Sequence, residues 1–176
     1  MSSDKDGRRP GLAVTPPALR GARLIEAPRH PLLVQLRDYW QGKCGPDGQL
    51  PGRAAIDPLE LRGLLPQIFL IDAALLPDGS HDYRVRLMGT AHSGIYGDGH
   101  VGKRLQDMFG DYAPVFTTLY DQICLAPRCY SNEGRIFWWR NADFIAFEGF
   151  HAPLASDGRQ VDMILGAAVF DYGKAG

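Results

Sequence analysis

The stretch "PLASDGRQVDMILG", residues 153–166, decides the fold, because an Asp-Gly pair stands between two apolar runs. Asp157 and Gly158 offer the positive φ that a tight primed hairpin turn demands, so the flanking runs read as paired antiparallel strands. In "FIAFEGF" (144–150) and "VDMILGAAVF" (161–170) both alternating faces are largely apolar, unlike a sheet with one wet side. Such strands need a layer on each face. The simplest arrangement puts middle helices on one face and either a helix at 31–41 or a second subunit on the other.

Working outward, the C-terminal third reads as three strands, about 129–140, 144–154 and 160–171, with a further turn at Asn141–Asp143. Trp138 and Trp139 then point to opposite faces of the first of these. Before them, Tyr112, Val115, Phe116, Leu119, Tyr120 and Ile123 keep a helical stripe that Pro127 ends. Residues 90–110 are punctuated by glycine, with short helices expected at Thr90–Tyr96 and Leu105–Phe109. "QIFLIDAAL" and "HDYRVRLMG" flank a "PDGS" turn and form a hairpin, preceded by a short helix that Asp57 caps, Pro58 opens and Pro66 stops. Leu32, Leu33, Leu36, Tyr39 and Trp40 form one stripe of an earlier helix. Residues 1–28, rich in Pro, Gly, Arg and Ser without a period, read as a disordered leader, leaving 29–176 as a single domain.

The composition of the 176 residues, 45% hydrophobic and 22% charged, is that of one globular domain. A net charge of -1 gives no basic footprint for nucleic acid. The first 29 residues nonetheless hold six basic against three acidic side chains, a short basic tail on an acidic body. Three cysteines without a CxxC suggest neither a disulfide framework nor a zinc site, so Cys44, Cys124 and Cys129 read as packing residues and no metal is expected. No signal peptide or membrane-length apolar run occurs, and the expected location is cytoplasmic.

"GDGHVGKR" (97–104) satisfies a dinucleotide fingerprint and nearly a P-loop. Arg104 stands where a P-loop needs Ser or Thr, and the motif lies between short helices rather than between a buried strand and a long helix. None of the five histidines sits in a recognisable catalytic motif, and they read as surface or structural.

The order of elements, with "LRDYW" (36–40), "RAAIDPLELRGLLPQIFLID" (53–72), "YRVRLMGT" (83–90), "GKRLQDMF" (102–109) and the opening stretch, resembles the PAS domain, and within it a bacterial stand-alone subfamily with a leading helix and an "IDP" segment. The resemblance implies an α+β fold, with a five-stranded antiparallel sheet carrying helices on one face and an N-terminal helix that covers the other face or mediates dimerisation. It also implies a sensory, non-catalytic module that binds a small molecule or a regulatory protein, forms a homodimer and relays conformational change in trans. The sequence stops soon after the last expected strand, which fits a partner in trans. Light-sensing flavin members carry an Asn-Cys-Arg-Phe motif, which is absent, and haem-binding members carry a histidine on the long helix, where residues 111–126 have none. Neither cofactor is expected; an unidentified small molecule is.

The expected pocket lies between the sheet and the long helix, with Tyr83, Val85, Leu87, Ile95, Tyr96, Phe116, Tyr120, Ile123, Phe147 and Leu165 as walls. Leu32, Leu36, Tyr39 and Trp40 are the expected partner interface, above all if the chain is instead a dimerisation or adaptor module with a filled cavity. A third reading, a small enzyme on a similar helix-plus-sheet scaffold, would draw on Asp111 or Asp121, but no catalytic constellation accompanies them.

Overall fold

In the computed structural model, which describes residues 22–173, a single antiparallel sheet is clad on both faces. The elements are β1 (Ala22–Ile25), α1 (Pro31–Lys43), β2 (Ile68–Leu75), β3 (His81–Met88), α2 (Thr90–Tyr96), α3 (Leu105–Phe109), α4 (Pro114–Leu125), β4 (Tyr130–Arg135), β5 (Ala146–Leu154) and β6 (Met163–Asp171). The sheet has six strands in the order β1-β4-β5-β6-β2-β3.

The sixth strand corrects the expected leader. Residues 1–21 lie outside the described residues, but Ala22–Ile25 pairs with β4, Ala22 opposite Gly134 and Ile25 opposite Ser131. Arg23 bridges to Glu133 across the pair at 2.5 Å. Four residues, Ala-Arg-Leu-Ile, are too few to show a period in sequence, and what makes them a strand is the free edge of β4.

The two apolar faces of β5 and β6 are each covered, as their composition demands. On one face Leu33, Leu36 and Trp40 of α1 are buried against Phe150, Leu154 and Leu165. The Trp40 indole N–H donates to the Pro153 carbonyl at 2.8 Å. The stripe proposed as a partner interface is thus committed to the chain's own sheet. Leu36 and Trp40 are buried, while Leu32 and Tyr39 are half-buried at its margin. On the other face α2, α3 and α4 pack over Ile71, Val85, Phe147 and Ile164.

Four local expectations are corrected. β4 ends at Arg135 rather than near residue 140, and residues 136–145 form a loop that the Ile136 N–H closes onto the Ile145 carbonyl. Trp138 and Trp139 both join the helix-side aromatic cluster, Trp138 against Phe116 and Trp139 against Tyr96 at 5.1 Å each, which strand alternation would forbid. Between β5 and β6 only Gly158 takes a positive φ, 80°. Asp157 acts through its side chain, accepting the Arg159 and Gln160 amides at 2.8 Å, so the connection is a longer Asx-type loop. Asp57 accepts the Leu59 amide at 2.8 Å as a cap should, but a turn and a 3-10 segment, Arg62–Gln67 with Pro66 inside, replace the expected helix.

Because Leu36 is fully buried between α1 and the sheet, Leu36→Ala is expected to cost about 2–5 kcal/mol of unfolding free energy. Leu32→Ala at the margin should cost about 1 kcal/mol. Urea unfolding of the two variants checks this, and equal losses would mean that α1 is not seated as described.

Candidate functional site

Strand parity builds the site. Phe147, Gly149 and His151 of β5, Ala168 and Phe170 of β6, and Phe69 and Ile71 of β2 form its floor, with Asn132 from β4. The roof is Tyr96 and His92 from α2, Met108 and Phe109 from α3, and Phe116 and Tyr120 from α4. Between them is a cavity of about 80 Å³. Two glycines let lining side chains lie close on the floor: a Cβ at Gly166 would collide with the Phe69 ring, and one at Gly149 with the Asn132 side chain.

The roof is tied by aromatic contacts, with Phe109 and Phe116 centroids 4.5 Å apart and Trp138 stacked edge-on to Phe147 at 5.2 Å. The Trp138 indole N–H donates to the Tyr96 hydroxyl at 3.0 Å. Burial raises the Tyr96 and Tyr120 phenols well above their ordinary value, so both are neutral.

Two histidines are the polar exceptions. His151 Nε2 lies 3.2 Å from Asn132 Oδ1, and its Nδ1 is buried without a hydrogen-bond partner. His92 Nε2 lies 2.7 Å from the Gln67 carbonyl. The Phe69 ring stands between them, 5.3 Å from His92 and 5.6 Å from His151. Burial, reinforced by the neighbouring His92, pushes His151 down to about 4, and burial likewise lowers His92.

The model of the PAS domain family matches residues 28–169. The chain belongs to the PAS domain family. Among solved structures, one described as an RNA-binding Light-Oxygen-Voltage receptor is similar at 16% identity and a TM-score of 0.44, over 71% of this chain and 35% of that one. The chain therefore spans about a third of that structure's length. No curated protein matches.

Of the expected walls of this PAS domain, Val85, Tyr96, Phe116, Tyr120 and Phe147 line the cavity. Leu87 and Leu165 lie on the α1 face instead. Leu165 has the wrong parity on β6, and Leu87 is turned over by a bulge in β3, where Leu70 faces Leu87 but Ile71 faces Val85. Ile95 and Ile123 pack in the helix-side core without lining the cavity. Tyr83 lines a separate, more open groove, where its hydroxyl donates to Asp121 Oδ1 at 2.6 Å. Asp121, the acid weighed for an enzyme, is thus outside the cavity, as is Asp111.

Sequence reasoning missed His92, His151 and Asn132. The available signal was parity: His151 stands four residues from Phe147 on the same expected strand, the one imidazole on an otherwise apolar face. The Gly97, Gly99 and Gly102 loop, with φ of 80°, 81° and 87°, joins α2 to α3 and lines no part of this cavity. Among the described residues no cluster of three His, Cys, Asp or Glu side chains could hold a metal, and no helix is long and apolar enough to cross a membrane.

His151 makes stability pH-dependent. Its folded value of about 4 lies below the unfolded value near 6.5, so the unfolded chain takes up the proton first. The stability is complete above pH 6.5 and is lost as pH falls toward 4. At ~1.4 kcal/mol for each pH unit between the two values the loss approaches about 3 kcal/mol. Urea unfolding between pH 7 and pH 4.5 should show this slope, and His151→Leu should remove most of it while leaving the smaller contribution of His92. An unchanged slope in the variant would place the titration elsewhere.

Proposed function

We propose that this PAS domain is a non-catalytic sensor that takes a small molecule into the central cavity and reports occupancy to another signalling protein in trans, in the cytoplasm. The observation that carries the reading is the double duty of β5. Its odd-numbered residues Phe147, Gly149 and His151 line the cavity. Its even-numbered residues Phe150, Ala152 and Leu154 pack under α1. Glu148, on that same face, accepts the Arg29 and His30 amides at 2.6 and 3.0 Å, and its carboxylate with that of Glu133 also binds the Arg29 guanidinium. A shift of β5 by a ligand therefore acts on both the face and the start of α1, and a ligand with different affinity for two positions of β5 biases α1 between them.

The cavity's 80 Å³ is well below the ~300–1,000 Å³ of sites for drug-sized ligands, which argues against a flavin or a haem as the ligand. The aromatic crowding around it favours, as a second reading, an adaptor or dimerisation module whose cavity is filled by its own side chains. Neither reading involves nucleic acid or a membrane surface.

A screen of compact molecules by amide NMR separates the two. The sensor reading expects a binder to perturb Gly149 and His151 and, in addition, Leu33 and Leu36 on α1. In Glu148→Gln the α1 response should weaken while affinity stays within about threefold. Perturbation confined to the cavity would remove the relay. No binder at all, xenon included, would leave the adaptor.

A further inference from the structure

The orphaned nitrogen of His151 specifies what the cavity accepts, on the reading that a small molecule enters it. Asn132 offers its amide oxygen, an acceptor, to His151 Nε2 at 3.2 Å, so Nε2 carries the hydrogen. Nδ1 is then a lone-pair acceptor, buried and without a partner in a ring that lines the cavity. Buried acceptors in folded proteins almost always have a donor. Of the other polar side chains in the lining, His92 Nε2 donates to the Gln67 carbonyl at 2.7 Å and the Tyr96 hydroxyl accepts from Trp138 at 3.0 Å, while the Tyr96 and Tyr120 hydroxyls are donors, so the acceptor left for a ligand's donor is Nδ1.

Charge narrows the ligand further. Among the described residues no Lys, Arg, Asp or Glu lines the cavity, so an ionised ligand would be buried without a counter-charge. Volume sets the last bound, since a dry cavity of roughly 150 Å³ is what accommodates benzene and this one holds 80 Å³.

We propose that the cavity selects a compact neutral molecule, smaller than benzene and mostly apolar, that presents a single N–H or O–H to Nδ1 of His151. The floor and roof supply the apolar contact, with the Phe69 and Tyr120 rings 5.6 and 5.8 Å from the imidazole. Specificity resides in one donor, because the ligand that lacks it leaves Nδ1 unpaired.

Pyrrole and furan test this as a matched pair, both neutral five-membered rings, of which only pyrrole donates. Titration of the full chain followed by amide NMR, with ¹⁵N detection of the imidazole nitrogens, reads both affinity and the atom engaged. Pyrrole is expected to bind about tenfold more tightly than furan and to shift His151 Nδ1. In His151→Leu the ratio of the two affinities should fall to near unity. Equal binding of the two rings by the unaltered protein, as when an ordered water already satisfies Nδ1, overturns the proposal without need of the variant. A preference that survives His151→Leu overturns it too. If xenon enters the cavity but neither ring does, the ligand class is wrong and the sensor reading stands; if xenon is also excluded, both fall.

Discussion

The arrangement rests on one constraint: the central strands β5 and β6 are apolar on both faces, and neither face can be left to water. Ala152, Leu154, Ile164, Leu165 and Ala167 are fully buried, and they divide between the two sides. At ~25 cal/mol per Å² of apolar surface, an uncovered face would cost more than the few kcal/mol by which a domain is stable. α1 on one side and the α2–α4 layer on the other answer that requirement.

The two coverings differ in kind, and the difference makes the site. α1 lays its stripe of Leu33, Leu36 and Trp40 flat on the sheet. The opposite layer consists of three helices whose aromatic rings tile imperfectly over the floor, where Phe69 and Asn132 lie close on Gly166 and Gly149. Rigid rings cannot collapse into every gap as a methionine can, and a residual space remains beside two imidazoles.

Much of this was legible in the sequence. The 3.6-residue stripes located α1 and α4, and the apolar character of β5 and β6 on both faces predicted a two-sided sheet. Five of ten expected wall residues line the cavity because helix faces and strand parity are local properties. The failures were those of non-local origin. Leu87 is turned over by a bulge that only pairing with β2 reveals. Leu165 required knowing the parity of β6 against β2. β1 exists because β4 offers it an edge, and the Trp138-Trp139 segment leaves the sheet to join rings that are distant in sequence. His151 and Asn132 matter as a pair only once β4 lies beside β5.

The seating of α1 has a further consequence during synthesis. Its apolar stripe, Leu33, Leu36 and Trp40, rests on β5 and β6, which are translated more than a hundred residues later. At ~5–20 residues per second the ribosome leaves that stripe without its sheet for on the order of ten seconds. The His30 cap and the Pro31 start can hold a transient helix in that interval, but its greasy side has no cover. The stripe therefore stays exposed through most of the chain's emergence, and the pairing of β5 with β6, which completes its seat, ends that exposure.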